Sequence, residues 1–389
     1  MANVPVGHVL CTFTVNGVRS PEHPMDFELR QEWGRHDLLF ARLVVPKGRR
    51  VSQLTAWPDG AAVAVQWGRK GAGVLTWYGY INHHVIDTSD DMSGQDIQIT
   101  YVLVGTSNVM NGDRNRVWEH TTADVIAQKI AREHSLRCVV TRSTWQLKYE
   151  AQAHESDFAF LNRLAAKIGY RFYVTGGTMY MIDPVVLLAG QTSSNVPTYS
   201  VDRDSYRTDT AHGFQVEQGD YLPGAFSYTR RIWGIDDRTG QVFHVDADGS
   251  TGSDYIVNTT RYTTSRAEAK RLQNAQQSLG QFWIAATVEV FGCTLLYPGK
   301  AVNLQGTHIP DHNAGAWIVT AARHVLRSSG SPVAADDSYV TRLRIVSNIK
   351  NVIPRIKGIQ QVTPEVIGCN LAGGIWRANT LNVIIEGTI

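Results

Sequence analysis

His308, Asp311 and His312 put two histidines and an acid within five residues, a spacing that could chelate a metal if a helix set both rings on one face. Pro310 between them and Asn313-Ala314-Gly315 after them direct a hairpin loop instead, and the glutamate of an HExxH site is absent. Asp246, Asp248 and Asp254 around Gly249 resemble a fragment of a calcium loop. The third acid before the glycine and the closing glutamate are missing, so a β-turn is expected. Asp87, Asp90, Asp91 and Asp96 crowd beside His83 and His84, residue types that do acid–base work. They fall in a Ser/Gly-containing stretch between two strand patterns and read as a solvated loop. Gly68, Gly71 and Gly73 are not spaced as a phosphate-binding loop, and neither a GxSxG elbow nor a Cys/His/Asn nucleophile pattern is present. The ten tryptophans include possible sugar-stacking residues, but scattered Trp in a β-rich chain fits core or interface better. The residues therefore nominate no catalytic, no cofactor-binding and no metal-ligating position, and the expectation is a protein that is not an enzyme.

Composition points the same way. The chain has 389 residues, 43% hydrophobic and 19% charged, enough to bury a core in two to three domains and too apolar for whole-chain disorder. Its net charge of +2 argues against a polybasic membrane or histone-like partner. Cys11, Cys138, Cys293 and Cys369 lie far apart, which excludes a zinc ribbon and a CxxC redox site and makes a disulfide framework unexpected. The opening residues lack a basic-then-apolar leader, and no stretch nears the ~20 apolar residues of a membrane helix. A soluble chain folded in a reducing cytosol is expected.

The elements follow from periodicity. Strands are predicted at 8–15, 25–31, 38–45, 61–67, 74–86 and 96–105, where Phe27, Leu29 and Gln31 alternate with Asp26, Glu28 and Arg30. Turn chemistry at Asn16-Gly17, Pro46-Lys47-Gly48 and Pro58-Asp59-Gly60 separates them, the pattern of a barrel or sandwich. A helix is predicted from Thr121-Thr122-Ala123-Asp124 to near His134. A second is capped by Ser156, lays Leu161, Leu164, Ala165 and Ile168 on one face, and stops at Gly169. Gly176-Gly177 then turns a hairpin. Residues 113–183 thus read as helix–strand–helix–hairpin, and 184–213 as a linker. Ser265-Arg266-Ala267-Glu268 is a capping box opening a helix with Leu272, Ala275 and Leu279 on one face. Strands follow at 282–291, 301–306, 316–326 and 339–348. The last forty residues carry apolar β-branched runs and are expected to complete the second β-body or lie against another chain.

One segment is a signature. Glu155-Ser156-Asp157, Phe160-Leu161, Arg163-Leu164-Ala165, then Gly169 and the aromatic run Tyr170–Tyr173, resembles the phage tail hub proteins. These include the late-control protein D family and the hub part of VgrG in type VI secretion. Leu75–Ile81, Ala123–Glu133, Leu296–Leu304 and Trp317–His324 are similar to further segments of those proteins, so the resemblance spans about residues 8–348. Segment 101–120 also resembles minor tail proteins of actinobacterial phages. The resemblance implies a β-rich α+β fold with two β-barrels and an α/β insertion per chain, three copies forming a pseudo-six-fold ring. Barrels would occupy 1–112 and 196–348, the second with one helix. The helix-containing module and linker would occupy 113–195, and 349–389 would extend toward a spike or tail tip. The implied function is a structural hub joining a six-fold tail tube to a three-fold spike and lining the channel for genome ejection during host cell entry. Implied partners are the homotrimer, the tail tube or distal tail protein, the spike or tail-tip protein and the tape-measure protein, with DNA only a passenger. The implied place is the virion tail, assembled in the host cytoplasm. No catalytic residue is carried over, and His324 is expected to be a hydrogen-bonded structural residue. No long β-helical needle is expected in this chain; Ile356-Lys357-Gly358-Ile359-Gln360 resembles the lead-in to the small barrel that follows the hub in VgrG, and the spike is expected to be another protein. The alternatives are the hub of a bacterial contractile injection or type VI-like device, and, from another class, a tail-associated cell-wall hydrolase or carbohydrate-binding module.

Overall fold

The computed structural model describes residues 9–20, 26–45, 57–69, 73–87, 97–189, 196–201, 209–218, 229–236, 238–246, 256–263, 265–279, 282, 284–306, 315–327, 338–347, 366–369 and 375–378. Seven strands build the first β-body: β1 (Val9–Val15), β2 (Val18–Arg19), β3 (Asp26–Glu32), β4 (Leu38–Val45), β5 (Ala62–Arg69), β6 (Gly73–Asp87) and β7 (Ile97–Gly105). A 3-10 turn, Thr106–Met110, leads into β8 (Asp113–Thr122), α1 (Ala123–Glu133), β9 (Arg137–Thr141), β10 (Gln146–Ser156), α2 (Asp157–Ile168), β11 (Arg171–Thr175) and β12 (Thr178–Ile182). Next come α3 (Pro184–Ala189), β13 (Thr198–Ser200), β14 (Ala211–Gln218), β15 (Thr229–Ile235), β16 (Val242–Asp246), β17 (Ile256–Thr263) and α4 (Arg266–Leu279). Then follow β18 (Ile284–Phe291), β19 (Ala301–Gln305), β20 (Gly315–Arg327), β21 (Ser338–Ser347), β22 (Val366–Cys369) and β23 (Ile375–Ala378).

The alternation read in β3 is an inward and an outward face: Phe27, Leu29 and Gln31 are buried and Arg30 is exposed. Such faces supply a first core around Phe13, Leu39, Trp57, Trp77 and Tyr101. A second lies around Val288, Val290, Trp317, Leu343 and Ile345. The two β-bodies do not form separate sheets. One 13-stranded sheet runs β14-β18-β21-β20-β3-β4-β7-β6-β5-β1-β2, with β13 and β19 at its side. The seam is antiparallel pairing of β20 with β3, from Ala321 opposite Glu32 to Arg327 opposite Asp26. Leu326 and Tyr339, from the second body, sit in the first body's core. The Tyr339 hydroxyl accepts from the Trp67 indole at 3.1 Å, and Arg323 donates to Glu28 at 2.6 Å.

The module has local causes. Ser156 Oγ accepts from the Ala159 amide at 3.1 Å, and Gly169 closes α2 at φ 84°, a left-handed conformation that costs a Cβ-bearing residue energy. Replacing Ser156 with alanine is expected to cost about 1 kcal/mol, read from the urea midpoint; an unshifted midpoint would show that the cap adds nothing. Gly176 and Gly177 both have positive φ, as a two-residue hairpin turn requires. Ser265 accepts from the Glu268 amide at 3.2 Å at the start of α4.

Three expectations are corrected. The module begins with a strand, β8, and two strands rather than one separate α1 from α2. Of the β8 side chains only Trp118 is buried, so no alternation marks it; β8 is a strand because it pairs with β10. The supposed linker 184–213 contains α3 and β13. Asp183 accepts from the Val185 amide at 2.9 Å, Pro184 opens the helix, and Leu187 packs with Phe282 and Ile318. The described part of the last forty residues does not join the second body's sheet: β22 pairs with β9, extending the module's sheet in the order β11-β12-β9-β22-β23. The unpaired backbone edge of β9 is the physical reason, since it offers hydrogen bonds to any β-branched run that reaches it.

Candidate functional site

The signature residues converge on one place, the start of α2. Asp157, 1% exposed, receives one guanidinium nitrogen from β8 between its two oxygens: Arg116 Nη2 donates to Oδ1 at 2.6 Å and to Oδ2 at 2.7 Å. Gln152 Nε2 donates to Oδ1 at 2.8 Å, and His134 Nε2, just past α1, lies 2.8 Å from Oδ2. Arg116 Nη1 also donates to Glu133 at 2.5 Å. The carboxylate stands at the N-terminal end of α2, where the helix dipole favours negative charge. With its lone pairs filled and its surface covered, it holds β8, α1, β10 and α2 together and presents no free oxygen to a substrate. His134 meets Asp157 as a general base meets the acid that orients it, but among the described residues no hydroxyl or thiol partners the other ring nitrogen.

Glu155 and Arg163 have the same kind of task one turn away. Arg163 donates to Glu155 Oε1 at 2.6 Å, to Glu150 Oε1 at 2.6 Å and to the Ala151 carbonyl at 2.8 Å. The hydrogen bond that Arg163 donates to Glu155, with Glu150 beside it, holds the Arg163 guanidinium above its ordinary pKa. Lys167 donates to Glu150 at 2.9 Å and lies 3.4 Å from Glu268, tying α2 to α4. Phe160, Leu161, Leu164 and Ala165 fill the module core. These residues of the signature are thus engaged in packing, capping or ion pairing.

A second convergence joins module to sheet at the turn 33–37. Gly34 N donates to the Phe172 carbonyl at 2.7 Å, and the His36 ring stacks on Phe158 at 3.9 Å between centroids. Asp37 accepts from Gln31 at 3.0 Å and from the Trp77 indole at 3.2 Å, while Gln31 also reaches Thr175 at 2.5 Å. Burial pushes the Asp37 carboxyl up to about 6.

The residues first weighed for chemistry are not gathered. His84 Nδ1 lies 3.6 Å from Asp59 across a turn, and His83 is exposed. Asp87 ends β6; Asp90, Asp91 and Asp96 lie outside the described residues. Asp246 ends β16, while Asp248, Gly249 and Asp254 also lie outside them, as do His308, Asp311 and His312. Gly68 and Gly73 belong to the paired strands β5 and β6, and Gly71 is outside the described residues. Among the described residues no three His, Cys, Asp or Glu side chains are placed to hold a metal. His324 is buried, its Nδ1 3.0 Å from the Tyr339 hydroxyl and 3.2 Å from Thr341. The partnership of Arg116, His134 and Gln152 with Asp157 was not found by sequence reasoning, because nothing local to them marks it.

The sequence pattern of the phage tail baseplate hub (GPD) family matches residues 56–330. No curated protein matches the chain. Among solved structures, the tail protein from Neisseria meningitidis MC58 is similar with a TM-score of 0.62 at 13% identity, covering 88% of this chain and 98% of that one. The 43 kDa tail protein of prophage MuSo2 from Shewanella oneidensis gives 0.61 at 12%, covering 88% and 99%. A type VI secretion component of E. coli, itself structurally similar to T4 bacteriophage tail proteins, gives 0.53 at 15%, covering 87% and 77%. At these identities the likeness is one of fold.

Proposed function

Because the chain belongs to the phage tail baseplate hub (GPD) family, we propose that it is the structural hub that joins a six-fold tail tube to a three-fold spike or tail tip. In this reading three copies form a ring, and the β-bodies at 1–112 and 196–348 supply six similar units that face the tube and line the channel for genome ejection. The module at 113–195 braces the ring, and 349–389 runs toward the spike or tail tip. Membership of the family implies a location in the virion tail; assembly in the host cytoplasm belongs to the proposal, as do contacts with the tape-measure protein.

The observation that carries this reading is the β20–β3 seam. A chain that contributes two adjacent units to a ring must hold them at a fixed angle. A shared sheet with a shared core does so, whereas a flexible linker does not. The electron-microscopic structure of the assembled tail tests it. Three copies in one ring, both β-bodies facing the tube, is the expected result; six copies, or one body turned away from the ring, overturns it. Recovery of the chain in a bacterial injection particle that carries no genome would favour the type VI-like alternative.

A further inference from the structure

In the antiparallel pairing of β22 with β9, Cys369 is the register partner of Cys138. Two of the four cysteines, more than two hundred residues apart in sequence, are therefore directly opposite each other. Register partners share a face of the sheet, with Cα atoms about 4.5 or 5.5 Å apart depending on the class of pair. Both separations fall within the roughly 4.4–6.8 Å that a disulfide spans. Cys138 is 1% exposed and belongs to the module core.

We propose that Cys138 and Cys369 are a disulfide-forming pair that clasps the C-terminal segment onto the α/β module. β22 is held to the module by only four register pairs, Val366–Cys369 against 138–141, and carries β23 on its other side. A two-strand extension this short is weakly held by its backbone hydrogen bonds. A covalent link makes the attachment permanent and fixes the point from which the remaining residues leave the module. The oxidant is a small-molecule disulfide such as oxidised glutathione. The thiolate of one cysteine attacks it, forms a mixed disulfide and releases one glutathione thiol. The thiolate of the other then displaces the second, so two protein thiols become one disulfide while one small disulfide becomes two thiols. The other two cysteines lie elsewhere, Cys11 in β1 and Cys293 just past β18, and neither is a register partner of a cysteine. The clasp rests on register and does not depend on the hub reading.

The test uses the full chain, purified with reductant, exchanged into oxidised glutathione, alkylated, and digested without reduction for peptide mass spectrometry. The expected product links the Cys138 and Cys369 peptides and leaves two alkylatable thiols of four. Cys369→Ser abolishes the link, while Cys11→Ser and Cys293→Ser retain it. Amide exchange over 366–369 should slow at least about tenfold on oxidation in the wild type and be unchanged in Cys369→Ser. Four alkylated thiols after oxidation, or a dominant link between any other pair, overturns the proposal.

Discussion

Asp157→Ala will be among the most destabilising single changes in this chain, costing about 3–5 kcal/mol. Removing one member of a buried pair leaves the other charge without a partner, and that penalty exceeds the pair's own net worth. Here Arg116 would keep Glu133 as its carboxylate partner, Gln152 would keep only the Glu155 carbonyl, and the His134 ring would face a cavity. Against a typical total stability of roughly 5–15 kcal/mol, the loss is a large fraction. Urea unfolding measures it, and a cycle with Arg116→Ala separates the pair from the rest: the double variant should recover at least about 1 kcal/mol relative to the sum of the singles. A loss under 1 kcal/mol for Asp157→Ala would show that the network is ornamental. Exposed pairs such as Arg35 with Glu32 should give far smaller changes.

Acid will weaken the fold through His324. Burial among Trp67, Tyr339 and Thr341 holds its imidazole down at about 4, against an ordinary value near 6.5. The indole of Trp67 donates to the Tyr339 hydroxyl, which is thereby directed to donate to His324 Nδ1, so the neutral ring is the form the core accepts. A depressed pKa means that the unfolded chain binds the proton first. The stability held above pH about 6.5 is lost as pH falls toward about 4, by up to about 3 kcal/mol. Asp37 and Asp183, both raised to about 6 by burial, act in the opposite sense: their contribution is present below about 4 and is lost as pH rises through about 6. The comparison must therefore be between wild type and His324→Asn at each pH. The wild type should lose up to about 3 kcal/mol relative to the variant between pH 7 and pH 4. Parallel stability curves would sink the argument. Because Tyr339 and His324 lie at the seam, the same loss should appear as parting of the two β-bodies, visible as dequenching of Trp67.

What the sequence determined by itself was local. The alternation of Phe27, Leu29 and Gln31 is enough to make β3 a half-buried strand, because side chains on an extended backbone point to opposite faces in turn. Ser156 and Gly169 bound α2 through hydrogen bonds and a backbone conformation that involve only neighbours. The signature around Asp157 was legible as a family mark, since it is a run of adjacent residues. Its purpose was not. Arg116 is 41 residues from Asp157, and no local periodicity records that they meet. β8 was missed for the same reason: a strand exposed on nearly all its length carries no alternation, and only its partner β10 makes it one. The seam between β20 and β3, nearly three hundred residues apart, decides that two β-bodies share one sheet. Periodicity says which face of a strand is buried, but it is silent on which edge pairs with which. Edge pairing is settled by backbone hydrogen bonds common to all residues, and so by tertiary structure alone.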